Sequence, residues 1–188
     1  MEETDPRHLL IRIAGILDEL QIPYLVTGGL AVLVWGRPRF TADIDVVIET
    51  QAEDRHKIYQ KLSEIGESYI DEEEIKKAIE TRGEFNFIDG ESGIKVDFWI
   101  LKNDDFDTSR LSRRVAREVL GKKIYFTSPE DLILIKLTWH KESGSSRHLE
   151  DIESVVKISG DKLDYPYIER WAVKLSVSKL WDEVSEKP

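Results

Sequence analysis

The feature that most constrains the fold is the pair of aspartates in residues 43–49, DIDVVIE. Apolar residues 44, 46 and 48 alternate with Asp43, Asp45 and Val47, which is typical of a strand with one buried face. The two carboxylates then share the other face, about 6.6 Å apart, which is twice the rise per residue. Carboxylates this close repel each other and resist burial unless they bind positive charge. The pattern therefore predicts either a divalent-metal site or an exposed strand with two polar residues towards solvent.

Helical and strand patterns alternate along the rest of the chain. An apolar stripe at helical spacing follows a cap at Asp5-Pro6, and residues 23–27, PYLVT, are typical of a short buried strand. A short helix closed by Gly36, two further helices and a pair of strands around the loop 90–93, GESG, follow. Residues 110–126 fit either a helix or two short strands about Gly121.

The last third of the chain has helical patterns throughout. Ser128 and the following Pro-Glu-Asp form a strong helix start, and further apolar stripes continue towards the C-terminus. We therefore predict a core over residues 1–127 and a helical extension over residues 128–188 that packs on it.

Composition limits the partners and the metal chemistry. The chain has 188 residues, 40% hydrophobic and 34% charged, as expected of a soluble globular protein without a membrane partner. Its acidic N-terminus is unlike a secretion signal, so we expect a cytoplasmic protein. The chain contains no cysteine, so any metal site should be built from oxygen ligands. The net charge of −10 argues against nonspecific binding to nucleic acid, although a local basic patch is compatible with a phosphate-rich partner.

Residues near the aspartate strand indicate what the carboxylates bind. Gly28-Gly29 lies where a strand turns into a helix, which presents backbone N–H groups to a phosphate or makes an ordinary tight turn. Arg37 and Arg39 follow, either near the same anion or in a solvated loop. Asp97, in the apolar segment 94–100, IKVDFWI, can complete a metal site. Together these features predict binding of a nucleoside triphosphate with its magnesium.

These residues also carry a family resemblance. The succession GG, then G-x-x-R-x-T-x-D-I-D, resembles the signature of the nucleotidyltransferase superfamily that includes DNA polymerase beta; it comprises Gly28, Gly29, Gly36, Arg39, Thr41, Asp43, Ile44 and Asp45. IKVDFW around Asp97 resembles the strand that carries the superfamily's third carboxylate. SPEDLILIKL and the later RHLEDI are similar to the tail of minimal nucleotidyltransferase proteins related to AbiEii toxins, whose substrates are unassigned.

The resemblance implies both a fold and a reaction. The fold is α/β (α+β), with a small mixed, largely antiparallel sheet, flanking helices and additional C-terminal helices. The reaction is transfer of a nucleoside monophosphate from an NTP, with ATP as the first expectation, to an acceptor hydroxyl with release of pyrophosphate. The implied catalytic and metal-binding residues, for Mg²⁺ or alternatively Mn²⁺, are Asp43, Asp45 and Asp97, with Asp97 as the proton acceptor. The implied nucleotide-binding residues are Gly28, Gly29, Arg39, Thr41 and Lys136, and Asp151 matches the acidic position of the tail.

One departure from the family pattern leaves alternatives open. Many catalytic members have Gly-Ser after the first strand, where the hydroxyl touches the terminal phosphate, whereas this chain has Gly28-Gly29. A catalytically silent nucleotide-binding or interaction module of toxin–antitoxin type is therefore the first alternative, and a metal-dependent phosphohydrolase is the second. The acceptor can be RNA, protein or a small molecule, and the oligomeric state is left open. A helical segment 110–117 would align Arg110, Arg113, Arg114 and Arg117 in a basic stripe for RNA or triphosphate, whereas a hairpin would make them a solvated face.

Overall fold

The computed structural model describes residues 5–41 and 43–185. In these ranges the helices are α1 Pro6–Glu19, α2 Gly28–Trp35, α3 Arg55–Ser63, α4 Glu72–Thr81, α5 Asp105–Ser112, α6 Pro129–Ser143, α7 Ser146–Ser159, α8 Tyr165–Lys174 and α9 Ser178–Ser185. The strands are β1 Tyr24–Thr27, β2 Asp43–Ile48, β3 Ser68–Tyr69, β4 Glu84–Asp89, β5 Lys95–Ile100, β6 Val115–Val119 and β7 Lys122–Phe126. Two 3₁₀ helices add Ala52–Asp54 and Gly160–Lys162.

These strands form one mixed sheet in the order β3-β4-β5-β2-β1-β7-β6. The β2–β5 and β1–β7 pairs are parallel, and the other four pairs are antiparallel. The predicted α/β fold, with a largely antiparallel mixed sheet and flanking helices, is confirmed. The β2–β5 pair lies at the centre of the sheet, so the two strands with predicted carboxylates are neighbours.

The two faces of the sheet differ in what covers them. The residues of β2 at 44, 46 and 48 belong to the main hydrophobic cluster, together with apolar residues of α1, α3 and α4. The opposite face carries a smaller cluster of Leu25, Val47, Leu101 and Leu111, the last from α5. Because strand residues alternate between faces, Asp43 and Asp45 lie on this second face. The apolar face thus fixes the strand and leaves the carboxylates on the less covered side.

The predicted helix starts follow from their caps. The Asp5 carboxylate accepts a hydrogen bond from the Arg7 N–H at the start of α1, and the Ser128 hydroxyl accepts one from the Asp131 N–H at the start of α6. Proline occupies the first turn of both helices, where its missing N–H costs nothing. Gly144 ends α6 in the left-handed conformation, at φ 70°.

Residues 110–126 combine the two structures that the sequence left open. Helix α5 runs to Ser112, and β6 and β7 then form an antiparallel hairpin about Leu120 and Gly121, whose φ angles are 47° and 78°. The four arginines are therefore not aligned. Arg110 is buried and bound to Asp107 at 2.6 Å, and the Arg117 guanidinium lies over the Trp35 ring at 4.4 Å. No continuous basic stripe forms along this part of the described chain.

The C-terminal helices pack closely on the preceding residues. Apolar side chains of α6 to α9, from Leu132 to Val184, join the same hydrophobic cluster as those of the first 127 residues. The division after residue 127 stays a prediction. Among the described residues, no helix is both long and apolar enough to cross a membrane.

Candidate active site

Asp45 and Asp97 stand side by side in the centre of the sheet. In the parallel β2–β5 pair, Asp45 is the register partner of Asp97, and Asp43 is the partner of Lys95. Asp97 is buried, Asp45 is half-buried and Asp43 is exposed. The structure therefore brings the predicted carboxylates to one face, with Asp45 and Asp97 at the inner end of the group and Asp43 at its outer end.

The surroundings of Asp45 disfavour the ionised form of its carboxyl group. Burial raises the pKa of Asp45, and the neighbouring Asp97 carboxylate raises it further. The Lys136 ammonium and the Trp99 side chain act in the opposite direction but do not cancel these effects. The site thus has an excess of negative charge that a cation would relieve.

Lys95 supplies the nearest positive charge to the predicted carboxylates. Its Nζ atom lies 2.9 Å from Asp97 Oδ2. The hydrogen bond to Asp97 raises the pKa of Lys95, and the charges of Asp43 and Asp45 add to the effect. The ammonium therefore lies in the field of all three carboxylates. Sequence reasoning missed this contact, although strand alternation already placed Lys95 on the face of Asp97.

The Gly-Gly turn fits tightly against this group of carboxylates. Gly28 begins α2 with φ +61°, and a Cβ atom added there would fall 1.9 Å from Asp45 Oδ2. A Cβ atom on Gly29 would fall 2.3 Å from Thr41 Oγ1. A larger residue at either position would collide with Asp45 or Thr41, two side chains that the sequence predicted to belong to the site. The N-terminal end of α2, with its free N–H groups, consequently lies directly beside Asp45.

A buried ion-pair network of Lys136, Asp151 and Arg39 lies near these residues. Lys136 Nζ is 2.7 Å from Asp151 Oδ2, and both side chains are about as buried as the core. Arg39 binds the same carboxylate through two nitrogens, at 2.6 Å and 2.9 Å. Burial acts to raise the pKa of Asp151, but the hydrogen bonds from Arg39 and Lys136 outweigh it and lower the pKa. Burial lowers the pKa of Lys136, and Asp151 opposes that effect.

The ion pairs of this network limit how Arg39 and Lys136 can bind an anion. Arg39 is held by Asp151, so its guanidinium is directed at a carboxylate of the chain itself. The charge of Lys136 acts to lower the pKa of Asp45, so its field reaches that carboxyl, although the net effect of all groups is to raise this pKa. Both cations are therefore held by the Asp151 carboxylate, and Lys136 is the one whose charge also acts on Asp45.

Thr27 is a further residue that sequence reasoning missed. It is the register partner of Asp45 in the β1–β2 pair and directly precedes Gly28. Its buried hydroxyl has no hydrogen-bond partner among the described residues. A buried polar group without a partner costs stability unless a ligand or water satisfies it. The sequence indicated a strand-to-helix turn here, but we assigned the phosphate contact in that turn to the two glycines and not to Thr27.

The carboxylates fit a hard divalent cation by their donor type and charge. Oxygen ligands suit Mg²⁺ or Mn²⁺, and Asp45 and Asp97 are register partners in the β2–β5 pair. Within residues 5–41 and 43–185, however, no three carboxylate or imidazole side chains already form a cage for a metal ion. The donor set therefore matches such an ion, and Lys95 supplies positive charge to Asp97.

Comparison with known protein families gives one match over most of the chain. Residues 14–175 match the family described as "Nucleotidyl transferase AbiEii toxin, Type IV TA system". No curated protein matches the sequence significantly.

Several solved structures similar to this chain are described as nucleotidyltransferases or as proteins like them. An antigenic nucleotidyltransferase-like protein from Paracoccidioides brasiliensis has a TM-score of 0.66 and 18% identity, over 100% of this chain and 89% of that one. ANT(2″)-Ia in complex with adenylyl-2″-tobramycin has a TM-score of 0.60 and 15% identity, over 91% of this chain and 97% of that one. The lincomycin-bound lincosamide antibiotic adenylyltransferase LnuA has a TM-score of 0.53 and 18% identity, over 82% and 98%. At these identities the likeness shows the fold.

Proposed function

Because the chain belongs to the AbiEii family of nucleotidyl transferases, we propose that it transfers a nucleoside monophosphate from a Mg²⁺-bound NTP to an acceptor hydroxyl. ATP is the donor that we test first. The observation that carries the proposal is the pairing of Asp45 with Asp97 in the β2–β5 register, with the Gly28 backbone against the Asp45 carboxylate. This arrangement combines metal ligands with a phosphate-binding helix end.

The triphosphate would bind at the start of α2. The free N–H groups of the first turn and the partial positive charge of the helix end attract phosphate oxygens. Lys136 adds a positive charge whose field already reaches Asp45. Arg39 would act indirectly, because its two hydrogen bonds hold Asp151 beside Lys136.

The Gly28-Gly29 sequence is compatible with this role. A serine at position 29 would place its Cβ atom 2.3 Å from Thr41 Oγ1, so the site has no space for the Gly-Ser of many relatives. The Thr41 hydroxyl lies where such a side chain would begin. We therefore assign the contact with the terminal phosphate to Thr41, whose hydroxyl donates a long hydrogen bond, 3.3 Å, to the Asp43 carbonyl.

The residues of the chain can support the proton and charge changes of this transfer. A bond forms between the acceptor oxygen and the α-phosphorus, the bond to the pyrophosphate oxygen breaks, and the hydroxyl proton goes to Asp97. Asp43, Asp45 and Asp97 would hold Mg²⁺, which would neutralise the phosphates and stabilise the charge of the pentavalent arrangement. Lys95 must yield its contact with Asp97 Oδ2 for that oxygen to accept a proton.

The family and the fold also bear on the wider role. The family description refers to type IV toxin–antitoxin systems, and two structural neighbours are described with adenylylated tobramycin and with lincomycin. A role in a toxin–antitoxin pair and a cytoplasmic location, where NTPs are available, are consistent with the proposal.

Titration calorimetry and product analysis separate the proposal from its alternatives. Purified protein is titrated with each Mg-NTP, and the same NTP labelled at the α-phosphate is incubated with cell lysate. The proposal predicts binding and a labelled acceptor, both reduced in Asp45→Asn but kept in Glu118→Gln, an exposed acid of β6. Binding without labelled product would favour a silent module, and phosphate release without an acceptor would favour a phosphohydrolase. Failure to bind any Mg-NTP would refute the proposal.

A further inference from the structure

A large cavity opens next to the carboxylate pair on the same face of the sheet. Its volume is about 970 Å³, and it begins at Thr27, Val47 and Trp99. Val47 follows Asp45 by two residues on β2, and Trp99 follows Asp97 by two residues on β5, so all four side chains share a face. Pockets of roughly 300–1,000 Å³ are typical for small molecules.

The position of the cavity relative to the Gly-Gly turn assigns it to one of the two substrates. β1 runs antiparallel to β2, and Thr27, the last residue of β1, lies opposite Asp45. Gly28 follows Thr27, so the Gly-Gly turn lies towards the end of β2 that carries Asp43. The cavity extends from Thr27 towards the opposite end, past Val47 to Gly83 and Ile100, and its lining includes neither glycine of the turn. In phosphoryl-group transfer the attacking and leaving oxygens lie roughly in line, on opposite sides of the phosphorus. If pyrophosphate leaves at Gly28-Gly29, the acceptor therefore approaches from the side of the cavity.

The walls of the cavity present aromatic surface from three separate elements. They include Trp99 of β5, Trp139 of α6 and Trp171 of α8. Trp99 is 36% exposed, although it lies in a central strand. Trp139 and Trp171 are half-buried, and the Trp171 ring packs at 5.1 Å from Phe106, which holds it in place. Fixed aromatic faces suit a ligand with an apolar or planar face.

The charges around the cavity do not suit a polyanion. Three of its four basic residues are already engaged: Arg110 binds Asp107 at 2.6 Å, Arg82 contacts the carbonyls of Thr50 and Leu101, and Lys174 Nζ lies over the Trp171 ring at 4.4 Å. The exposed charges at the rim are Lys102, Lys174, Asp104, Asp105 and Glu142, of which three are acidic. Binding of nucleic acid depends on neutralising its phosphates with basic side chains. This rim offers no excess of positive charge.

We infer that the cavity binds the acceptor, and that the acceptor is a small hydroxylated molecule, neutral or cationic, with an apolar or aromatic face. The inference rests on the proposed nucleotidyl transfer and assigns its acceptor class. A molecule held against Trp99 would lie two residues along β5 from Asp97, on the same face of the sheet, and Asp97 is the group proposed to accept the proton of its hydroxyl.

The test uses a cleared bacterial lysate, separated by ultrafiltration into a small-molecule fraction and a macromolecular fraction. Each is incubated with Mg-NTP labelled at the α-phosphate and with purified wild-type protein, Trp171→Ala, Glu142→Trp or Val173→Ala. Glu142→Trp places a bulky ring at the exposed rim without disturbing buried packing, which covers the case in which Trp171→Ala does not fold. Val173 lies on the same helix and is 70% exposed, so Val173→Ala is the matched control. Mg-NTP affinity is measured for every variant.

We expect label in the small-molecule fraction, reduced about tenfold or more by both cavity variants. Trp171→Ala loses one aromatic contact, and Glu142→Trp obstructs the rim with an added ring. Mg-NTP affinity and the activity of Val173→Ala should stay at the wild-type level. Label in the RNA or protein of the macromolecular fraction, or small-molecule label that both cavity variants retain, would overturn the inference. Loss of Mg-NTP binding in those variants would assign the cavity to the donor nucleoside instead. Absence of labelled product from both fractions would refute the proposed transfer itself, and the inference with it.

Discussion

Gly28 allows a direct test of how closely the main chain approaches the Asp45 carboxylate. A Cβ atom at this position would lie 1.9 Å from Asp45 Oδ2 and 2.6 Å from its Cγ, and the φ of Gly28 is +61°. Gly28→Ala therefore combines a left-handed backbone penalty of about 1–2 kcal/mol with an overpacking penalty of about 1–3 kcal/mol. We expect the free energy of unfolding to fall by roughly 2–5 kcal/mol.

Gly121→Ala is the matched control for the backbone penalty. Gly121 also has a positive φ, +78°, but nothing lies within 4 Å of an added Cβ atom. This variant should lose only the backbone part, about 1–2 kcal/mol. The difference between the two variants isolates the steric contact with Asp45. Urea denaturation followed by circular dichroism measures both free energies of unfolding.

The same variants separate steric displacement of Asp45 from a general loss of stability. Mg-NTP binding should be lost in Gly28→Ala, because the new methyl group displaces the Asp45 carboxylate, and kept in Gly121→Ala. In an Asp45→Ala background the extra cost of Gly28→Ala should shrink, which a double-mutant cycle measures. Equal destabilisation by Gly28→Ala and Gly121→Ala would refute the close approach.

Three further predictions concern the charges of the site. Asp45→Asn should abolish transfer yet stabilise the fold at neutral pH. Burial and Asp97 raise the pKa of Asp45, so the folded state retains this proton to higher pH than the unfolded chain. The stability of the wild type relative to the variant therefore falls as pH rises from 3.8 through the raised pKa. Urea unfolding across that interval checks the sign, and a constant difference would contradict it. Lys136→Met should destabilise the fold by less than the roughly 3–5 kcal/mol of a fully unpaired buried charge, because Arg39 still binds Asp151 through two nitrogens. Lys136→Met/Asp151→Leu should recover stability in thermal unfolding, and no recovery would contradict the role of the pair. Lys95→Met should tighten Mg²⁺ binding in calorimetry, since the ammonium that neutralises Asp97 is gone; weaker binding would show that Lys95 assists the ion.

The central strand and its carboxylates could be predicted because their signal is local. Alternation over six residues of β2 fixes which side chains are buried, and therefore the side of the sheet from which Asp43 and Asp45 project. The turn into α2 is likewise encoded by Gly28-Gly29, which follow a short buried strand. The same local rule places Lys95 on the face of Asp97, so this contact was available to sequence reasoning.

Contacts between distant segments could not be predicted in the same way. Arg39 and Asp151 are separated by 112 positions, and nothing in either local pattern specifies that they meet. The register of Asp45 against Asp97 similarly depends on the pairing of strands about fifty residues apart. Strand β3, with only two residues, is too short to show a period.

The segment 110–126 resisted prediction for a different reason. Its arginines at spacings of three suit a helix, and its alternation about Gly121 suits a hairpin. The helix ends at Ser112, so the helical pattern holds only for residues 110–112, and the hairpin pattern holds for residues 115–126. The boundary is set by the pairing of β6 with β7 and of β7 with β1, which is a non-local interaction.

The most direct measurement of the central claim uses one NTP labelled separately at the α- and γ-phosphates. It follows both labels while purified protein acts on the acceptor-containing lysate fraction. We predict that the α-label enters the acceptor while an equal amount of pyrophosphate carries the γ-label. Asp45→Asn and Asp97→Asn should abolish both, whereas Glu118→Gln should change neither. Transfer at the wild-type rate in Asp45→Asn, or release of the γ-label as free phosphate without movement of the α-label, would contradict the assignment of this site to nucleotidyl transfer.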